Sequence, residues 1–384
     1  MTIRIVLLFL VSGVLLFAEG CKKEPTVRRQ PAEGSSPARA AVKLAVLVVE
    51  DPELAAGLKL LRGEWSERSG GQMEVDGAAT EDLLTAEHLP ADLVVFPSRY
   101  LGALVARDAL RAVRTSVLES ETFARNDLLP LVRNRVLRYG DKVFALPLGE
   151  SPLLLAGSAI DLPQTWKQLD QLQPKIEVAP QLEHPHAVEF LVRALGYASS
   201  RGRSAILFDP DNMQPRIHSA PFVRALTEVV QLKERSRTGK SEAVLTITPP
   251  RISAVASERD RPLRLTALPG VEEVYNYSRE IWEPLEASGS PVVLGFSGRA
   301  IGVTRSSHNA SSAFQLLQWL ASGKNGAQLS QRSKGAVWFR TSQISQAPEW
   351  LTGQPISDAA TEVITRQLSA EDCFLLPRIP AIDD

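Results

Sequence analysis

Between Val42 and Pro97 the chain alternates strand, helix, strand, helix, strand, and this constrains the fold more than any other feature. Val42 to Val49 is a Val-rich apolar run, the pattern of a strand buried on both faces. Leu54, Leu58, Leu61 and Trp65 recur at helical spacing and predict an amphipathic helix that Gly70-Gly71 ends. Met73 to Val75 is short strand material, Glu81 to Glu87 predicts a helix, and Leu93 to Phe96 predicts a second buried strand closed by Pro97. Such alternation is the signature of a parallel α/β sheet.

The rest of the body carries the same vocabulary. Strands are expected at Val143 to Leu146, Leu153 to Ala156, Ile176 to Ala179, Ala243 to Thr248, Leu263 to Ala267, Val292 to Leu294 and Ala300 to Thr304. Trp166 to Leu172 predicts a helix with Thr165 as its cap. Val188, Leu191, Val192 and Leu195 fall on one helical face, and Phe222, Leu226, Val229 and Val230 repeat the pattern after Pro221. From Ala310 onward the chain predicts helices at Ser311 to Ala321, Asn325 to Gln331 and Ile356 to Leu368. With 384 residues this is too much material for one doubly wound sheet of usual size, and two α/β lobes are the simpler arrangement. Trp65, Trp166 and Trp319 lie at core spacing, whereas Trp282 fits a core and a cleft equally.

Composition removes whole function classes. The 43 Lys+Arg and 44 Asp+Glu give a net charge of −1, without the basic excess of a dedicated nucleic-acid binder. Two cysteines exclude a disulfide scaffold and a cysteine-based zinc cluster. Aromatic residues make up only 6%, so an aromatic binding platform must use few of them.

The N-terminus has a short basic start, Thr2-Ile3-Arg4, an apolar run from Ile5 to Phe17, and Ala18-Glu19-Gly20 before Cys21. Residues 1–20 have the shape of a secretory signal peptide. The run is shorter than the roughly 20 residues of a membrane span, although a lone membrane anchor remains compatible with it. The segment also resembles a bacterial lipoprotein signal, which implies lipidation of Cys21 at a new N-terminus; Gly20 fits that pattern and Glu19 departs from it. Cys373 then has no intrachain partner and is expected as a packed free thiol. Residues 21–41, rich in Pro, Arg, Ser, Gly and Ala, read as a flexible tether.

Familiar catalytic motifs are missing. No G-x-G-x-x-G follows a strand, Thr238-Gly239-Lys240-Ser241 lacks the earlier glycine of a phosphate loop, and Gly295-Phe296-Ser297-Gly298 is followed by Arg299 where a nucleophile elbow needs glycine. Glu183-His184-Pro185-His186 is the one histidine cluster; it reads as a polar loop, a ligand contact or, without an obvious third ligand, a metal site. Acid pairs such as Glu50-Asp51 and Asp209-Asp211 read mainly as solvated turn residues.

A set of segments in order then carries a resemblance. Asp92-Leu93-Val94-Val95-Phe96-Pro97-Ser98-Arg99-Tyr100-Leu101-Gly102, Tyr139 to Leu148, Pro163-Gln164-Thr165-Trp166, Leu207-Phe208-Asp209, Pro221 to Leu226, Ala243 to Ile247 and Ala313 to Leu320 resemble, in sequence order, the extracellular solute-binding proteins of the carbohydrate type. The likeness runs from Val42 to Asp384; Arg378-Ile379-Pro380-Ala381 resembles the family's late Arg-Ile-Pro-Gly. It implies an α/β, two-lobed periplasmic-binding-protein fold (type II) with several interlobe crossings and a helical C-terminal part. Lobe one is expected at 42–147 and 262–304, lobe two at 150–258 and 307–384.

In such folds a cleft between the lobes closes around its ligand. A sugar is held by aromatic faces against its C–H patches and by planar polar side chains on its hydroxyls. Strand ends facing the cleft supply the candidates: Glu50, Asp51, Ser98, Arg99 and Glu150 from the first half, Glu183, His184, His186 and Arg251 from the second, and Trp338 and Arg340 from the late loop. Ser98 stands where the family carries an acid, and Arg251 where it often places an aromatic. The resemblance implies an extracytoplasmic lipoprotein of the cell envelope. It would capture a small polar solute, a sugar in the family's usual role, for an ABC transporter permease, with no cofactor, no metal, no nucleic-acid partner and no catalysis. The competing readings are a two-lobed envelope scaffold that has lost its small molecule, and a secreted hydrolase using carboxylates or the His184/His186 pair.

Overall fold

The computed structural model describes residues 41–158, 161–179, 182, 185–198, 206–209, 211–238, 244–250, 264–333, 335–350 and 359–376. The signal, the tether and Cys21 lie outside these residues, as do Glu183, His184, Arg251 and the segment 378–381. No helix among the described residues is long and apolar enough to cross a membrane. From Ala41 the chain forms one compact body.

The opening alternation folds as its pattern dictates. Strand β1 (Lys43–Val49), helices α1 (Pro52–Leu60) and α2 (Arg62–Ser69), β2 (Gln72–Ala78), α3 (Thr80–Thr85) and β3 (Leu93–Pro97) follow one another. The single helix expected over Leu54 to Trp65 is two helices meeting at Leu61, yet all four apolar positions of the stripe are buried. Asp51 caps α1 by accepting from the Leu54 N–H at 3.0 Å, Pro52 takes the first helical position, and Gly70 ends α2 at φ 68. Short helices α4 (Leu101–Ala106) and α5 (Thr115–Leu118) lead to β4 (Leu146–Gly149).

The first sheet has the order β2-β1-β3-β12-β4, with β12 at Arg299–Val303. Its first three strands are parallel; β12 runs antiparallel between β3 and β4. It therefore takes its fourth strand from far downstream. Helices α9 (Ala310–Leu320) and α10 (Gly323–Arg332) contact β12, β4 and α1.

The second sheet has the order β6-β7-β5-β8, from β5 (Leu154–Gly157), β6 (Lys175–Val178), β7 (Val244–Thr248) and β8 (Arg264–Ala267). Helices α6 (Trp166–Leu172), α7 (Pro185–Ala198) and α8 (Ala220–Thr238) bury Trp166, Val192, Leu195 and Phe222 against one of its faces. Thr165 caps α6 by accepting from the Gln168 N–H at 3.2 Å, as its position predicts. A hairpin of β9 (Val271–Asn276) and β10 (Ile281–Gly289), not anticipated from the sequence, carries Trp282 edge-on to Tyr197 and Tyr275.

Two placements differ from the expected lobe division. Arg264–Ala267, expected with the first lobe, pairs antiparallel with β5 in the second sheet, because its hydrogen-bonding edge is taken by Leu154 to Gly157. Helices α9 and α10, expected with the second lobe, pack on the first sheet, because Ala313, Phe314, Leu316 and Leu317 belong to the core that holds β1 and β3. That core also includes Leu154, Ala156 and Leu265, and it is completed by α11 (Ala347–Trp350) and α12 (Ala359–Leu368). Strand β11 (Val293–Leu294) pairs in parallel with the late β13 (Phe374–Leu375).

Candidate functional site

In the first sheet β1, β3 and β4 all end at the edge where β12 begins. Arg299 pairs with Pro97 on one side and Gly149 on the other, so Ser98, Glu150 and Arg299 are neighbours by register. Asp51 reaches the same point: its Oδ2 accepts from Arg299 Nε at 3.1 Å and from Ser333 Oγ at 2.7 Å. This is the edge from which the chain leaves the first sheet through Glu150 to Leu153 and enters the second at Leu154. Thr248, at the end of β7, pairs with Leu154 and brings Pro249 to the same crossing.

Glu150 sits in the crossing, fully buried. Its Oε2 accepts from Ser98 Oγ at 3.3 Å, and its Oε1 accepts from the N–H of Ser151 at 3.1 Å and of Gly295 at 3.4 Å. One carboxylate thus ties the end of β3 to two chain passages, 150–153 and 295–298. Burying a carboxyl group requires such satisfaction. The packing leaves no room for larger residues. A Cβ on Gly298 would lie 2.6 Å from the Glu150 carboxyl carbon, and one on Gly149, already at φ 146, would overlap Ala336.

Of the expected residues at this edge, two remain accessible. Glu50 is exposed and holds a left-handed backbone at φ 53, a conformation that non-glycine residues adopt rarely and often at functional sites. Arg99 is half-buried; it donates to the Tyr100 hydroxyl at 2.8 Å and stands 4.0 Å from the Glu50 carboxylate. Burial holds the Arg299 guanidinium below its ordinary value against the opposing pull of Asp51, and the charge of Arg99 pushes the same way as burial. Two guanidiniums and three carboxylates therefore share one strand edge, with Asp51 and Glu150 engaged inside the protein and Glu50 and Arg99 nearest solvent.

The remaining expected residues lie elsewhere. Trp338 is wholly buried, donates from Nε1 to Thr365 Oγ1 at 3.0 Å and packs edge-on to Trp350. Arg340 is also wholly buried; it donates to the carbonyls of Ala124 and Ala321 and lies 3.7 Å from Asp127, and burial lowers its pKa to about 10. These two are core fastenings of the first lobe. His186 is exposed on the first turn of α7, 2.7 Å from Lys233 of α8. No group of three His, Cys, Asp or Glu able to hold a metal occurs among the described residues. Sequence reasoning missed Arg299 and Ser333. The available signal was a single arginine opening an otherwise apolar strand after the Gly295 to Gly298 turn.

No protein-family model matches the chain, and no curated protein matches it. The fold is that of the ABC-transporter solute-binding proteins, two α/β lobes joined by chain crossings, with a helical C-terminal part. A solute-binding protein of an ABC transporter from Agrobacterium radiobacter K84, solved with ribitol, matches with a TM-score of 0.61 and 16% identity over 89% of this chain and 90% of that one. A cyclo/maltodextrin-binding protein solved with maltotetraose matches with a TM-score of 0.65 and 17% identity over 92% and 90%.

Proposed function

We propose that the protein captures a small polar solute, a sugar or polyol, between its two lobes and hands it to an ABC importer on the outer side of the cytoplasmic membrane. The observation that carries this is the gathering of Glu50, Arg99, Ser98, Glu150 and Arg299 on one edge of the first sheet, at the passage to the second, in a fold shared with solute-binding proteins. Open α/β sheets bind ligands at such carboxyl ends. Glu183, His184 and Arg251 are proposed to face that edge from the second lobe. In keeping with the strand pairing, lobe one is assigned 42–149, 299–333 and the helices that follow, and lobe two 154–293. Cys21 is proposed as the lipid anchor and residues 22–41 as the tether that keeps the body near its permease.

No tryptophan turns an exposed ring to this edge: Trp65, Trp166, Trp319, Trp338 and Trp350 are buried in core, Trp338 although it follows the Val337 that pairs with Glu150, and Trp282 packs on Tyr197 and Tyr275. A ligand held without a tryptophan face is better matched by a monosaccharide or a linear polyol than by an oligosaccharide. Calorimetric or thermal-shift titration of the body with ribitol, a panel of hexoses and maltotetraose tests this. Stabilisation by a short ligand, abolished by Arg99→Ala, is expected; a ligand at 100 times its Kd adds about 2.7 kcal/mol.

One observation favours a second reading. Asp51 and Glu150 already have their oxygens engaged within the protein, as they would in an envelope scaffold that no longer takes a small molecule. Absence of stabilisation by every compound, with a cross-link to a non-transporter partner, would favour it.

A further inference from the structure

Exposed apolar side chains are not scattered over this protein. Of the eight large hydrophobic residues exposed among the described residues, five fall between Met213 and Val230. Three of them, Val223 (52% exposed), Leu226 (53%) and Val230 (45%), recur at i, i+3 and i+7 on α8. They form one stripe on the side of the helix opposite the buried Phe222, Ala225, Val229 and Leu232. Thr227 completes the stripe. Its hydroxyl donates to the Val223 carbonyl at 2.8 Å, so it can be covered without losing a hydrogen bond. Single exposed apolar residues are ordinary on a protein surface, whereas a contiguous stripe marks an interface.

The charges of α8 lie beside the stripe rather than in it. Arg224 and Glu228 pair with each other, and together with Arg235 they line the depression shared with Asp170 of α6 and Tyr197 of α7. Lys233 turns to His186 and Glu189 of α7. One charge continues the line of the stripe: Glu234, exposed and one turn beyond Val230. At the opposite end the helix begins at Ala220, just after the exposed Ile217 and His218. The face therefore has an acidic end, an apolar middle, and an end that carries the positive pole of a 19-residue helix.

We infer that this face of α8 is a self-association surface, and that its occupant is α8 of a second copy of the chain, packed antiparallel across a two-fold axis. An axis passing beside Leu226 and Thr227 sets Val223 against the partner's Val230. It sets Glu234 against the partner's Ser219 and the partner's His218, at the N-terminus of the facing helix. Two-fold symmetry repeats each contact, so one face serves both copies. A parallel pair would set Glu234 against its own counterpart, and charge thus selects the antiparallel arrangement. A contact confined largely to one helix face falls below the roughly 1,200 Å² at which stable interfaces begin. The association is accordingly weak, with a Kd on the order of 100 μM. The inference stands independently of the solute-binding reading, because no residue of the candidate cleft takes part in it.

Sedimentation equilibrium of the full chain between about 5 and 500 μM reads the association directly. A monomer–dimer equilibrium is expected, weakened at least about tenfold by Leu226→Asp and by Val230→Asp. Both side chains are exposed in the single copy, so the melting temperature at low concentration should stay the same. Glu234→Arg and His218→Glu should each weaken the dimer several-fold by setting like charges face to face, and the two together should restore it to within about twofold. A monomer over the whole range overturns the inference and leaves the stripe to a different protein. Association that survives Leu226→Asp overturns it by placing the contact elsewhere. A ladder of species beyond the dimer overturns it as well, since a two-fold contact closes at two copies. Failure of the double exchange to recover the dimer would overturn the antiparallel arrangement.

Discussion

Asp51 does three things with one carboxylate: it caps α1, pairs with Arg299 and receives the hydroxyl of Ser333. Removing one member of a buried pair leaves the other charge uncompensated, which costs about 3–5 kcal/mol. Asp51→Ala should therefore lower the urea-derived stability by at least about 3 kcal/mol. Asp51→Asn, which preserves the cap but removes the charge, should cost less; equal losses would show that the cap contributes little beside the pair with Arg299. Cys373 gives a pH signature. Burial pushes its thiol up to about 12, with Asp372 and Glu150 adding to the rise and Arg135 opposing it. A thiol whose folded pKa is raised contributes its stability fully below the unfolded value of about 8.5, and loses it as pH climbs toward the folded value. Between about pH 9 and 11 the wild type should lose up to about 1.4 kcal/mol per pH unit relative to Cys373→Ala. Parallel curves for the two proteins would show that the thiol ionises alike in folded and unfolded chains.

At the scale of elements, α8 shows where periodicity misleads. Phe222, Leu226, Val229 and Val230 predict a single buried stripe, yet Leu226 is 53% and Val230 45% exposed while Phe222, Ala225, Val229 and Leu232 form the buried face. Apolar residues occur on both faces of this helix, so the spacing alone could not choose between them. Leu226→Gln and Val230→Gln should change stability by less than about 0.5 kcal/mol, and Val229→Asn should cost several times more; chemical denaturation separates them. The crossing makes the opposite prediction for a small residue. Gly298→Ala drives a Cβ into the Glu150 carboxylate and should cost about 2–4 kcal/mol while leaving helix content unchanged by circular dichroism. The first five elements were legible because buried Val-rich strands and an amphipathic helix are local patterns. The β9–β10 hairpin was not, since Val271 to Gly289 is half-exposed, carries Pro284 and lacks alternation. The candidate site was legible in part for the same reason. Strand ends can be counted from sequence, which placed Glu50, Asp51, Ser98, Arg99 and Glu150 on one edge. Whether a side chain there turns to solvent or to a buried partner depends on contacts more than 100 residues away, such as Arg299 with Asp51 and Ser333 with Asp51. Trp338 and Arg340 looked like late-loop contacts and are core for that reason.

For the whole molecule, the main core does not respect the two sheets. Leu44 and Val95 of the first, Leu154 and Leu265 of the second, and Ile364 and Leu368 of α12 all belong to it. Two lobes that share a core should unfold together. Circular dichroism and tryptophan fluorescence are expected to give one coincident urea transition for the body, since Trp166 and Trp282 report the second sheet and Trp65, Trp319 and Trp338 the first. Two separated transitions would mean that the crossings, rather than the shared core, join the lobes.

The position of β12 has a further consequence for how the chain is made. A nascent polypeptide leaving the ribosome offers β3 some 200 residues before Arg299–Val303 exists to pair with it, and β4 has no other partner in its sheet. Until then the first half of the protein carries an unpaired strand edge, an open template for pairing with other chains. Closure waits on a long-range contact that is slow to form. Fragments that end before Arg299 keep that edge open and are expected to aggregate where the full chain does not.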